Sequence, residues 1–251
     1  MIPIRPKSLA AIVLAFATSL PAVRAAETTA APASKQAPGG VQELLRGIRG
    51  MQRLPVAGVQ MVDAGERVLF VSDNGRYVFT GSAWDLWHGA KLTTLEEGAR
   101  IAARVDLKRL GLDPTSLGAI DLGSGKEDVV AFVDPRCPHC RGLLEKLPEL
   151  TERYRFRLVP LPVLGRDSET AVVRLDCLTE SDPDAARKAL LAGDVAALSE
   201  TAGTCGQAPA QRALVTARLL GIRGVPYLIA PDGRLQQGVP ADLTAWLEGN
   251  E

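Results

Sequence analysis

Apolar residues recur along this 251-residue chain at two spacings, and the switches between them mark out its units. Val41, Leu44, Leu45 and Ile48 stand at helical intervals, so Val41 to Arg49 reads as a short helix. The pattern then becomes that of strands. Val56 to Val62, Arg67 to Ser72 and Tyr77 to Thr80, rich in Val with Phe and Tyr, read as three of them. Asp73-Asn74-Gly75 between the last two is a hairpin signal, because Asn and Gly tolerate positive φ. Gly81 to Gly89 continues as extended or turning chain. Helical spacing returns through Ala99, Ile101, Ala102 and Val105 toward Leu110, capped by Thr93 or Thr94 and stopped by Gly111 and Pro114. Residues 115–127 read as Gly- and Ser-bearing loop.

From Asp128 the order is strand, helix, strand. Val129 to Val133 is an unbroken apolar run, the mark of a buried strand. A helix starts at Pro138, shows a core stripe of Leu143, Leu144, Leu147 and Leu150, and is bent or ended near Pro148 on its way to Arg153. Phe156 to Pro160 is the next strand. A helical block from Ser168 to Gly221 is broken near Asp182-Pro183 and Gly203. Two strands, Tyr227 to Ala230 and Arg234 to Gly238, flank the turn Pro231-Asp232-Gly233, and Pro240 to Leu247 closes as a helix. The fold class is α+β / α/β. A small N-terminal unit at 41–91 precedes a linker helix at 92–113. A larger unit at 114–251 has a βαβ start, a helical insertion and a ββα end, which together describe a thioredoxin-like domain.

The first 25 residues change the picture of location. Arg5 and Lys7 precede the largely apolar Leu9 to Leu20, too short to span a bilayer, and Val23-Arg24-Ala25 is a small-x-small cleavage site. We expect a signal peptide over 1–25, cleavage after Ala25, and export to the periplasm. Residues 26–40, rich in Ala, Thr, Pro and Gly, read as a flexible leader. The whole chain has 29 basic and 29 acidic residues. Removing Arg5, Lys7 and Arg24 leaves 26 basic against 29 acidic, a formal charge of −3. That balance speaks against nucleic acid as the main partner. Four cysteines in an exported chain form an even set.

Two of those cysteines carry the candidate chemistry. Cys137-Pro138-His139-Cys140 lies where a buried strand gives way to a helix. A helix N-terminus favours a thiolate, and His139, when protonated, does the same. Cys137 is thus the expected nucleophile and Cys140, one turn on, the resolving thiol. Pro138 and His139 tune the pair. No metal or other cofactor is implied beyond a redox-active Cys137–Cys140 disulfide, since Cys177 and Cys205 are too far apart in sequence to complete a zinc site. Asp134 reads as a surface or capping carboxylate, and the position six before Cys137 is Ala131, so no buried acid is expected there. His88, in Trp87-His88-Gly89, reads as structural, with no partner visible.

The chain resembles the DsbC/DsbG family of periplasmic thiol:disulfide interchange proteins. The likeness rests on Val56-Ala57-Gly58-Val59, the Asp73-Asn74-Gly75 hairpin, Ala131-Phe132-Val133-Asp134-Pro135-Arg136 ahead of the dithiol, Cys177 with Cys205, and Gly221-Ile222-Arg223-Gly224-Val225-Pro226. The resemblance implies a cystatin-like N-terminal domain that makes a homodimer, and two thioredoxin-like domains facing a common cleft. It implies a cis peptide before Pro226, with Val225 and Pro226 binding substrate, and a structural disulfide between Cys177 and Cys205 (a second redox pair being the alternative). It implies isomerisation of mispaired disulfides in misfolded or partly folded exported proteins, chaperone activity, and reduction by a membrane thiol reductase of the DsbD type. Two departures favour an alternative. Pro138-His139 is the dipeptide of DsbA-like oxidases, and Val225 stands where isomerases of this kind usually carry Thr. A net dithiol oxidase is therefore the second reading, and a non-catalytic holdase the third.

Overall fold

A computed structural model describes residues 47–54, 58–65 and 67–250, all of which belong to one compact unit. The expected signal peptide, leader and most of the first helix (41–46), together with Val56 and Ala57, lie outside the described residues. Gly47 to Arg49, the end of that expected helix, is turn and irregular chain.

The N-terminal part is an antiparallel sheet of β1 (Gly50–Arg53), β2 (Val59–Asp63), β3 (Val68–Ser72) and β4 (Val78–Phe79), in that order. Strand β1 occupies a stretch without a sequence signal, because its covered face carries Gly50 and Gln52 while apolar Met51 faces water beside Arg53. The hairpin between β3 and β4 forms, but only Gly75 uses positive φ (+67°). Asn74 serves through its side chain, whose Oδ1 accepts from Ser72 Oγ (2.7 Å) and Arg76 N (3.0 Å). A second hairpin, β5 (Ala83–Asp85) with β6 (Ala90–Leu92), adds two short strands where turning chain was expected. Helix α1 (Leu95–Ala102) covers this part, burying Ile101 against Met61, Phe70 and Leu92. Thr94 is its N-cap and accepts from Glu97 N at 3.1 Å, while Glu97 accepts in return from Thr93 N.

α1 is shorter than the linker helix expected over 92–113. It stops at Ala103 because the following backbone is captured by the second sheet: Leu235 N donates to Ala103 O (3.0 Å) and Val105 N to Gly233 O (2.8 Å). Sheet-edge hydrogen bonds outcompete helix propensity here.

The second sheet runs in the order β11-β10-β8-β9-β7, with β7 (Ile120–Leu122), β8 (Glu127–Val133), β9 (Tyr154–Pro160), β10 (Tyr227–Ile229) and β11 (Leu235–Gln237). β8 and β9 are parallel and the other pairs antiparallel. Between β8 and β9 lie α2 (Pro138–Leu144) and a 3-10 turn at Leu147–Leu150. The helical insertion comprises α3 (Arg166–Ser181) and α4 (Pro183–Ala192), then α5 (Gln207–Leu219) leads to β10, and α6 (Leu243–Glu248) closes. The break at Asp182-Pro183 is where the sequence placed it, with Asp182 capping α4 through Ala185 N at 2.9 Å. β7 was missed as loop, since three residues, Ile-Asp-Leu, carry too little pattern.

β8 is buried on both faces. Val129, Ala131 and Val133 enter one core with α2, α3, α4 and α6, while Val130 and Phe132 enter another with α5. Cys177 on α3 is bonded to Cys205, with Cα atoms 5.2 Å apart, so α3 is tied to the chain ahead of α5. Gly206, at φ +74°, lets that chain pass within contact of α3, where a Cβ would fall 2.1 Å from Val173 O. Asp176, beside Cys177, has both carboxylate oxygens buried without a hydrogen-bond partner. Burial first, and the charge of Glu180 second, push its carboxyl up to about 8, against the pull of Arg212.

Two outcomes follow from this insertion. Replacing Cys177 and Cys205 by Ala opens a loop with a sequence separation of 28. Urea unfolding should show a loss of about 3 kcal/mol. Asp176 binds its proton more tightly in the folded than in the unfolded chain, so its contribution to stability falls as pH rises from about 4 to about 8. Asp176→Asn removes that slope, and its gain over the parent protein in urea unfolding should be about 4 kcal/mol larger at pH 8 than at pH 5.

Candidate functional site

The carboxyl end of β8 leads directly into the dithiol. After Val133 the chain leaves the sheet at Asp134, and Cys137 N donates to Asp134 O at 3.0 Å, closing a tight turn. Cys137 is the N-cap of α2, Pro138 is its first helical residue, and Cys137 O accepts from Arg141 N at 3.1 Å. Pro138 suits that place because its missing N–H has no partner to lose. Pro138 and His139 are exposed. Cys137 keeps 7 % of its surface open and Cys140 none. Both are buried, but Cys137 keeps a narrow opening to solvent and Cys140 is fully enclosed.

Burial pushes the Cys140 thiol well above its ordinary value. The Asp134 backbone N–H beside it opposes that rise, and the neighbouring Cys137 sulfur adds to it. A thiol so placed is a poor nucleophile until it is deprotonated or its surroundings open.

The second wall comes from the other end of the domain. Gly221 turns the chain after α5, and Ile222 to Gly224 lead to a cis peptide bond between Val225 and Pro226. Val225 O lies 3.8 Å from Cys137 Sγ. Pro226 is buried and its carbonyl accepts from Gly238 N at 2.8 Å. The structure thus brings Cys137, Pro138, His139, Cys140, Val225 and Pro226 to one place. Cys177 and Cys205 are bonded to each other within the helical insertion, and the free cysteines are Cys137 and Cys140.

Asp134 is not on the surface. Neither expected role holds: it is only 1 % exposed, and α2 and α3 begin at Cys137 and Gly165 without a side-chain cap, so this carboxylate ties turn to loop instead of ending a helix. Its Oδ1 accepts from Arg136 N (2.8 Å) and Ser168 Oγ (2.9 Å), and its Oδ2 from Val163 N (2.8 Å) and Leu164 N (3.1 Å). Sequence reasoning weighed only short-range partners for this acid, and three of these four lie about thirty residues away. Ser168 and the 163–164 loop were missed for the same reason. His88 also has a partner, Asp85, whose Oδ2 is 2.8 Å from His88 Nδ1. That pair braces the turn between β5 and β6. Among the described residues no cluster of three or more His, Cys, Asp or Glu could hold a metal ion.

Comparison with known proteins gives two family matches. The family described as "Thioredoxin-like domain" matches residues 122–249, and "Disulfide bond isomerase protein N-terminal domain" matches residues 26–94. The thiol:disulfide interchange protein DsbC of Haemophilus influenzae is 23 % identical over 197 residues, covering 77 % of this chain and 81 % of that protein. DsbC of Escherichia coli K12 is 22 % identical over 206 residues, covering 80 % and 81 %. Among solved structures, Proteus mirabilis ScsC in a transitional conformation is 22 % identical, with a TM-score of 0.46, covering 55 % of this chain and 74 % of that one.

The unequal burial of the two sulfurs sets an expected outcome. In a Cys137→Ala variant, the remaining thiol at Cys140 should react with iodoacetamide at pH 8.5 at about one tenth or less of the rate of free cysteine. Mass spectrometry of quenched time points measures it.

Proposed function

The chain belongs to the DsbC/DsbG family of thioredoxin-like thiol:disulfide interchange proteins, and from that premise we propose that Cys137 is its nucleophile in the isomerisation of mispaired disulfides in exported proteins. The observation that carries this reading is the placement of Cys137 Sγ. It sits at the N-cap of α2, 3.8 Å from Val225 O, with Cys140 one turn inside. The Cys137 thiolate attacks one sulfur of a substrate disulfide. A mixed disulfide forms and the other substrate sulfur leaves as a thiolate. A different substrate thiolate then attacks the mixed disulfide, which makes the new pairing and returns the Cys137 thiolate. If none arrives, Cys140 attacks Cys137 instead. The substrate leaves reduced, and the resulting Cys137–Cys140 disulfide is reduced again by a membrane thiol reductase of the DsbD type.

Val225 supports substrate holding. An extended chain laid beside it finds backbone groups to pair with, in the manner of strand addition. Pro138 and His139, exposed between the two cysteines at the start of α2, are the tuning residues. The Cys177–Cys205 bond is structural in this reading. Export by a signal peptide cleaved after Ala25 supplies the oxidising compartment, and the mature chain then begins at Ala26 on N-terminal sequencing.

The N-terminal sheet supplies dimerisation. Among the described residues its outer strands β1 and β4 have no partner on their outer edges, and Met51, Val78 and Phe79 on them, with Tyr77 just before β4, are exposed. A sheet with so small a core gains stability from pairing with a second copy. An apolar hollow of about 570 Å³, lined by Leu54, Trp84, Leu86, Trp87, Ile101 and Leu219, offers surface for partly folded chains. Pro138-His139 and Val225 favour the second reading, a net oxidase.

Three measurements decide. Cys137→Ser should reduce the recovery of scrambled ribonuclease to the uncatalysed rate, and recovery equal to wild type would leave only a holdase. Alkylation and gel shift in the cell should find the Cys137–Cys140 pair mostly reduced, and a mostly oxidised pair establishes the oxidase. Analytical ultracentrifugation should give a dimer for the mature chain and a monomer for Val78→Lys/Phe79→Lys.

A further inference from the structure

The turn that carries the dithiol and the loop that follows β9 meet on one buried side chain. Asp134 lies three residues before Cys137, whose N–H donates to the Asp134 carbonyl. The carboxylate of the same residue takes the backbone N–H groups of Val163 and Leu164, and Ser168 Oγ at the start of α3. Leu161 N donates to Val133 O at 2.8 Å, so the loop also starts in register with the last residue of β8. With its N–H groups turned inward, the loop presents side chains outward. Those side chains are apolar: Val163 is 43 % and Leu164 53 % exposed, next to the dithiol turn rather than in a core. Exposed apolar residues in a loop held by four hydrogen bonds, the one from Ser168 fully buried and those from Val163 and Leu164 partly so, need a use, because the loop is not left loose by chance.

We propose that Asp134 is a positioning residue that clamps Val163 and Leu164 into an apolar lip beside Cys137, and that this lip favours substrates whose cysteine is flanked by apolar residues. The inference rests on the exchange chemistry proposed above for Cys137. Apolar residues flanking a cysteine are buried in a correctly folded protein and open in a misfolded one. The lip therefore discriminates by folding state. Ser168 is the second anchor of the clamp, and the Asp167–Arg136 ion pair (3.6 Å) crosses the same junction on its outer side.

The test uses the pre-reduced full mature chain in single turnover. Its probes are two octapeptides, each with one cysteine joined to glutathione, flanked by leucines in one and by serines in the other. Cys137 attacks the peptide sulfur and glutathione leaves as a thiolate. Cys140 then attacks Cys137 and the peptide thiolate leaves. The protein dithiol is oxidised and the mixed disulfide is reduced to two thiols. Wild type should favour the leucine peptide by about tenfold in second-order rate constant, the worth of a modest apolar contact. Asp134→Asn puts an N–H against donors on one side of the clamp, and the ratio should fall to about 1. Val163→Ser/Leu164→Ser should do the same, and because both positions are exposed it decides the matter even if the Asn variant does not fold. A wild-type ratio near 1, or a ratio that survives the double substitution, overturns the lip. Asp134→Asn that slows both peptides equally with the ratio intact makes Asp134 merely structural and overturns the clamp. Wild type that reduces neither peptide removes the exchange reading itself, and the inference with it.

Discussion

Burial of both faces of β8 organises the catalytic part of the molecule. Val129, Ala131 and Val133 point into one core, Val130 and Phe132 into the other, so the strand has no solvent side. Helices must cover both faces. α2, α3, α4 and α6 cover one and α5 the other. The apolar run ends at Val133, the cover continues over Asp134 and Pro135, and the chain emerges from between two layers at Arg136. The dithiol stands at that mouth, beyond the carboxyl end of a parallel strand, where open α/β sheets place their sites. The parallel neighbour β9 brings the 163–164 loop to the same end, and antiparallel β10 begins there, just after Val225 and Pro226.

The same constraint separates the two sulfurs. Cys137 caps the helix and touches the rim, whereas Cys140, three residues on, turns with the helix toward Leu143 and the sheet. A helix packed on a dry core makes one face wet and the other dry, and the pair inherits that difference. Burial keeps the inner thiol protonated. In the exchange proposed above, a mixed disulfide on the outer sulfur would then persist long enough for a substrate's own thiolate to act.

The N-terminal part depends on a smaller core. Met61, Phe70, Leu92 and Ile101 form its core cluster, Val62 and Leu69 are buried on the same sheet, and α1 is its lid. Its connection to the larger sheet is backbone pairing at β11, reinforced by an ion pair between Arg104 and Asp232 at 3.1 Å. Surface ion pairs of this exposure add little by themselves, so the pairing of main chain does most of the holding.

Much of this was legible along the chain. The unbroken run Val129–Val133, the leucine stripe behind the dithiol, the break at Asp182-Pro183 and the cap at Thr94 are local patterns, and local physics produces each of them. The short strands β1 and β7 have no legible pattern because three or four residues hold at most two periods of strand alternation. The linker helix was read too long because nothing near Ala103 announces the strand, about 130 residues later, that captures its backbone. Asp134 was underread for the same reason: its partners Val163, Leu164 and Ser168 come near only through the β8–β9 pairing. The amino-acid sequence by itself determined where the Cys-x-x-Cys pair stands and which segments are helix or buried strand, since spacing and hydrophobic period are properties of neighbours. Tertiary structure alone decided which sulfur is dry, what stands opposite it and what holds the turn in place, because those depend on contacts that exist only once the strands have been ordered in the sheet.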